Sequence, residues 1–222
     1  MRHLDLFSGI GGFALAARWA GIETVAFCEI EEFPRKVLNK NFPGVKIHHD
    51  IRDLDGKEYE GIDLITGGYP CQPFSLAGGR KGTEDDRHLW PEMFRIIKQA
   101  RPRFVVAENV IGHLSMGFDK VCDDLEGEGY TVWPFVIPAC AKDAPHKRDR
   151  VWIVAYSNEK QKGAVGFGRV QESKRDAWSR LVLPRRERVA DGIPNWVDRC
   201  GAAGNAIVPQ VAYEILRAIR AL

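Results

Sequence analysis

Apolar and polar positions along the chain follow two alternating rhythms. Short apolar, β-branched runs of strand length recur at residues 3–7 (HLDLF), 24–29 (TVAFCE), 45–49 (VKIHH), 62–67 (IDLITG), 103–109 (RFVVAEN), 131–137 (TVWPFVI) and 150–157 (RVWIVAYS). Helical-period segments fall between them, and this alternation predicts an α/β, Rossmann-like fold: a mostly parallel sheet with helices on both faces. The last two runs are separated by a stretch punctuated by Pro138 and Pro145, with no room for a crossover helix, so they are expected to form an antiparallel strand pair at one edge. The pattern lapses over residues 158–198. It returns near residue 211, where Val211, Ile215, Leu216 and Ile219 recur at helical spacing.

The 222 residues suffice for one large domain. At 45% hydrophobic and 28% charged residues, composition argues against disorder, and the apolar runs are too short to span a bilayer. Asp5 interrupts the region where a signal peptide needs unbroken apolar residues, so a cytoplasmic location is expected. The five cysteines, Cys28, Cys71, Cys122, Cys140 and Cys200, show no CxxC spacing, which disfavours a disulfide framework and a structural zinc site. No metal is expected. The net charge of +2 is uneven: residues 158–199 hold ten Lys/Arg against six Asp/Glu, so a polyanion would be drawn there first.

Candidate chemistry gathers where the strands end. The first strand runs into FSGIGGF, in which Gly9, Gly11 and Gly12 permit a sharp turn and close approach of a ligand. Glu29 ends the second strand about 20 residues on, where a carboxylate can accept two ribose hydroxyls, and Asp50 follows the third strand. This describes a nucleoside pocket without a second phosphate-binding glycine pattern. It suits an adenosyl group not attached to a pyrophosphate, with S-adenosylmethionine as the candidate. After the fourth strand comes GGYPCQPFS, where Pro70 and Pro73 restrict the chain on both sides of Cys71 and aim its thiol. Glu108, in AENV, leaves the fifth strand toward the same crevice. His146, Arg148 and Arg150 are two apart, so they share a strand face and need an acceptor.

Taken together and in order, DLFSGIGGF, CEIE, GGYPCQPFS, ENV, HKRDRVWIVAY and GNAIVP resemble the DNA cytosine-5 methyltransferases over residues 1–157 and 192–222. The resemblance implies an S-adenosylmethionine-dependent methyltransferase fold acting on carbon 5 of cytosine in double-stranded DNA, with the target base flipped out of the duplex. Cys71 would be the covalent nucleophile, Glu108 the partner of ring nitrogen 3, and Arg148 and Arg150 the pair near the base and its phosphate. Phe7, Gly9, Ile10, Gly12, Glu29, Asp50, Ile51, Gly68, Pro70, Leu89, Asn205 and Ala206 would line the cofactor pocket. The glycine-rich stretch SLAGGRKGTEDD matches the family's mobile loop.

The sequence departs from the family at His146, where glutamine is common, and over residues 158–198, where members carry a much longer domain that reads the DNA sequence. The expected organisation is a catalytic and cofactor-binding domain over residues 1–157 and a short, basic, mobile remnant of the recognition region over 158–191. Residues 192–222 then complete the catalytic domain. A second copy of the chain or a helper protein is a candidate for completing the recognition region. A silent homologue that binds S-adenosylmethionine or nucleic acid, and an RNA cytosine-5 methyltransferase, stand as alternatives.

Overall fold

The computed structural model describes residues 1–70, 89–115, 117–138, 149–158 and 207–222. Strands β1 (Arg2–Leu6), β2 (Glu23–Cys28), β3 (Lys46–His48), β4 (Leu64–Gly67), β5 (Phe104–Val110), β6 (Tyr130–Pro138) and β7 (Asp149–Ser157) form one sheet in the order β3-β2-β1-β4-β5-β7-β6. The helices among the described residues are α1 (Gly12–Trp19), α2 (Glu32–Asn41), α3 (Trp90–Ala100), α4 (Phe118–Gly127) and α5 (Pro209–Arg220). From β3 to β5 all neighbours are parallel, whereas β7 is antiparallel to both β5 and β6. The expected antiparallel pair is therefore present, with β7 inserted between β5 and the edge strand β6. The connection from β3 to β4 departs from the expected helix. Its regular part is a 3-10 turn, Gly56–Tyr59, in which Asp55 caps the start by accepting the Lys57 N–H at 3.0 Å.

Side chains alternate across the sheet, and both faces are covered, which is why the strands read as nearly continuous apolar runs. Val105, Ala107, Val151 and Ile153 pack with Met93, Ile96 and Ile97 of α3 and Val121 and Leu125 of α4. Phe104, Val106, Trp152 and Val154 pack on the other face with Phe13, Ala16 and Ala17 of α1. Val211, Ile215, Leu216 and Ile219 of α5 join that second core, as their spacing predicts. Each such side chain contributes about 1.5–3 kcal/mol when fully buried. Apolar burial, rather than the exposed Arg217–Glu214 pair, therefore holds α5 to the sheet.

One polar chain interrupts the apolar packing beneath α1. His3, Asp5 and Thr66 are fully buried. The Thr66 hydroxyl donates to Asp5 Oδ1 at 2.8 Å, so it accepts from His3 Nε2–H at 2.7 Å, and His3 Nδ1 is left to accept from the Thr24 hydroxyl at 2.9 Å. Burial lowers the His3 pKa to about 3 and raises that of Asp5 well above the usual carboxylate range. This hydrogen-bond network joins β1, β2 and β4.

Candidate active site

Because β1 to β5 run parallel, their carboxyl ends lie along one edge of the sheet, the usual place for ligands in such folds. At the β1 end, Phe7 has φ 52°, a left-handed conformation that costs a bulky residue about 1–2 kcal/mol. Ser8 holds the chain in it. Its N–H donates to Cys28 O at 3.1 Å and its hydroxyl to Asp5 O at 2.7 Å, fastening the exit of β1 to that of β2. Gly9 follows, also left-handed at φ 52°, and a Cβ there would face open space. Gly12 has a different reason to be glycine: a Cβ would come within 2.6 Å of the Ile207 side chain.

Glu29 is buried at the end of β2. Its Oε2 accepts the Gly9 N–H at 2.7 Å and its Oε1 the Glu31 N–H at 2.8 Å. Burial raises its pKa, while these two backbone donors pull in the opposite direction. Each carboxyl oxygen can accept more than one hydrogen bond, so the group is oriented by main chain with capacity left for a ligand. Next to the acid, Ile30 is 59% exposed, an apolar side chain that the sequence reading missed. Its signal was an isoleucine set within the acidic run CEIEE. Ile10 is half-buried. Asp50 pairs with Arg52, whose Nη2 lies 2.6 Å from Oδ2, and hydrogen bonding from that guanidinium lowers the Asp50 pKa. Ile51 and Leu89 belong to the apolar packing: Ile51 is in the core and Leu89 lies against it.

The other end of the crevice is built across strands. Glu108 is buried at the end of β5, and its Oε1 lies 2.9 Å from Arg150 Nε. The register pairs Glu108 with Trp152 and Val110 with Arg150, so the antiparallel β7 delivers the arginine diagonally on the same face as the acid. Arg150 thus has the acceptor its strand position called for. Gly68 faces the same acid, since a Cβ there would sit 3.7 Å from Glu108 Oε2. Asn109, another residue missed in the sequence, is buried and donates from Nδ2 to Tyr69 O at 3.1 Å. Pro70, half-buried, is the last described residue before Cys71. Cys71, Arg148, Asn205, Ala206, the expected loop and, of the expected 158–191 remnant, all but Asn158 lie outside the described residues. Among the described residues no group of His, Cys, Asp and Glu is arranged to hold a metal, and no helix is long and apolar enough to cross a membrane.

A family model described as C-5 cytosine-specific DNA methylase matches residues 1–189. The Type II methyltransferase M.NgoMIV of Neisseria gonorrhoeae is 37% identical over 161 residues, covering 70% of this chain and 52% of that protein. The Type II methyltransferase M2.BsuMI of Bacillus subtilis is 35% identical over 175 residues, covering 74% of this chain and 44% of its own length. M.HgiBI of Herpetosiphon aurantiacus, also a Type II methyltransferase, is 30% identical over 226 residues, 96% of this chain and 51% of that protein. The chain therefore spans about half the length of these relatives. Among solved structures, a protein assigned as a DNA modification methyltransferase encoded within an E. coli prophage superposes with a TM-score of 0.63 at 27% identity, over 72% of this chain and 48% of that one. A Spodoptera frugiperda DNMT2 variant shares the fold, with a TM-score of 0.62 at 24% identity over 87% of this chain and 57% of its own. The glycine turn, the buried acids at the strand ends and a family model that matches most of the sequence agree: this chain belongs to the C-5 cytosine-specific DNA methylase family.

Proposed function

We propose that the chain transfers a methyl group from S-adenosylmethionine to carbon 5 of cytosine in DNA, with Cys71 as the covalent nucleophile. The observation that carries this reading is the buried Glu108, paired with Arg150 and facing Gly68, three residues before Cys71 in the chain. Carbon 5 of cytosine is a poor nucleophile until a thiolate adds to carbon 6. As that bond forms, charge accumulates toward ring nitrogen 3, and a protonated Glu108 relieves it by donating its proton. The carboxylate left behind faces the Arg150 guanidinium, which stabilises the state after proton transfer more than the state before it. After transfer, loss of the carbon 5 proton to water, elimination of the thiolate and return of the nitrogen 3 proton to Glu108 restore the aromatic ring, the free cysteine and the protonated acid.

The residues present at the β1 and β2 ends fit S-adenosylmethionine. Gly9 leaves open space over the turn, Glu29 is oriented to accept ribose hydroxyls, and Ile30 offers an apolar face for the adenine. When bound, that cofactor supplies an electrophilic methyl group on a sulfonium. Residues 158–191 supply phosphate contacts through their basic side chains, which position the duplex without reading its sequence. DNA containing 5-fluorocytosine tests the assignment, because fluorine at carbon 5 cannot leave as a proton does and the adduct persists. The expected result is a protein–DNA adduct mapped by mass spectrometry to Cys71. Methyl transfer without an adduct, or an adduct on another cysteine, overturns the role of Cys71.

A further inference from the structure

The ends of β4 and β5 are joined by side chains that the methyl-transfer reading leaves without a role. The Tyr69 hydroxyl and His113 Nε2 are hydrogen-bonded at 2.7 Å, and both residues are buried, at 3% and 2% exposure. Their rings meet edge to face at 5.5 Å. Aromatic side chains enclose the pair: Trp90 lies 5.1 Å from the Tyr69 ring and Phe118 lies 6.3 Å from that of His113. Trp90 is itself fixed, with Nε1 donating to Asp124 Oδ2 of α4 at 2.9 Å. In such an enclosure two apolar rings would pack without directional demands. A hydrogen bond instead fixes both separation and angle, and its loss is costly because water cannot replace the partner.

The two residues are well placed to set geometry. Tyr69 lies two positions before Cys71, and its carbonyl is held by Asn109, the neighbour of Glu108. His113 lies in the 3-10 turn, Ile111–Ser115, that directly follows β5. The hydroxyl–imidazole bond therefore runs alongside the Asn109 bond, and the two contacts together define how the segment leading to Cys71 sits against the strand carrying Glu108. Resting on the function proposed above, we propose that Tyr69 and His113 are positioning residues: their hydrogen bond sets the spacing between the nucleophile-bearing segment and Glu108. Spacing matters because displacements of about 1 Å in a reacting pair cost up to about a hundredfold in rate.

The test compares wild type with Tyr69→Phe, His113→Phe, the double variant and His113→Gln in the full chain, on mixed-sequence duplex DNA. Three quantities are measured: the single-turnover rate of methyl transfer at saturating S-adenosylmethionine, the cofactor Kd by calorimetry, and the Tm. Each single variant is expected to slow transfer about five- to tenfold while leaving the cofactor Kd within about twofold. The double variant is expected to be no slower than the slower single variant, because both remove the same bond. Glutamine retains a polar group toward the hydroxyl and is expected to restore most of the rate. Three results overturn the proposal: an active wild type whose variants transfer within twofold of it, losses that multiply in the double variant, or rate losses that merely follow falls in Tm and cofactor affinity. A wild type that binds the cofactor but transfers no methyl group overturns the functional reading, and this proposal with it.

Discussion

The two ends of the crevice are fastened in different ways. At the β1–β2 end the acid is held by main chain: Glu29 accepts from the Gly9 and Glu31 amides, and Ser8 bonds the carbonyls of Asp5 and Cys28. At the β4–β5–β7 end the fastenings are side chains from separate elements: Glu108 with Arg150, Asn109 with Tyr69, and Tyr69 with His113. Backbone donors are present whatever the side chains are, so the first end is insensitive to most substitutions except those that change the glycine turn or the acid. The second end depends on a few side-chain identities. On the function proposed above, a fixed cofactor seat beside a reaction centre assembled from several strands would separate the demands of binding from those of chemistry.

This contrast fails if changes at one end spread to the other. The largest expected effect is that of Arg150→Ala, which removes the cation facing the Glu108 carboxylate that forms on proton transfer. Single-turnover methyl transfer should fall about 10- to 100-fold, with cofactor affinity unchanged and Arg150→Lys recovering part of the loss. A matching loss of cofactor affinity, read by calorimetry, would show that the two ends are coupled. Comparable in size is Glu29→Ala, for which the cofactor Kd should rise about 10- to 100-fold through loss of a charged hydrogen-bonding partner. The transfer rate at saturating cofactor should change far less. An unchanged Kd would mean that the carboxylate serves the glycine turn alone.

The smallest effect sharpens the comparison from below the crevice. The pKa of His3 falls from 6.5 to about 3 on folding, so below pH 6.5 the unfolded chain binds a proton that the folded protein does not. The histidine's contribution to stability is complete above pH 6.5 and is lost as pH falls from there toward 3. Its slope approaches at most about 1.4 kcal/mol per pH unit. Asp5 acts in the opposite sense: its raised pKa makes the folded protein bind the extra proton above pH 3.8, so its contribution shrinks as pH rises. Urea unfolding of His3→Phe between pH 7 and 5 should show a shallower decline than wild type. Parallel curves would count against a neutral buried histidine.

Much of the sheet was legible in the sequence because strands buried on both faces leave long apolar runs, and each of the seven runs falls within two residues of an observed strand. The acids at strand ends were legible for the complementary reason: a carboxylate that closes an apolar run needs a partner. Identity of the partner was not. The need for an acceptor could be read from Arg150, but pairing it with Glu108, 42 positions earlier, requires the register that sets Val110 against Arg150. The helix expected between β3 and β4 failed because helical-period polarity in that stretch is also satisfied by a capped 3-10 turn. Tyr69 and His113 escaped notice because aromatic and histidine residues near apolar runs are ordinary core material until their polar atoms are seen to meet.

The contact between Gly12 and Ile207 bears on how the protein is made. Residues 207–220 supply one wall of the packing around the glycine turn, yet they lie about 195 positions beyond it. At synthesis rates of roughly 5–20 residues per second, the first strand and its turn emerge from the ribosome roughly 10 to 40 s before the helix that covers them. Until then the apolar side of α1 has no α5 to rest against. The seat proposed for the cofactor, simplest in its local bonding, thus waits for residues about 195 positions further along the chain, and a nascent chain must keep that surface from other partners meanwhile.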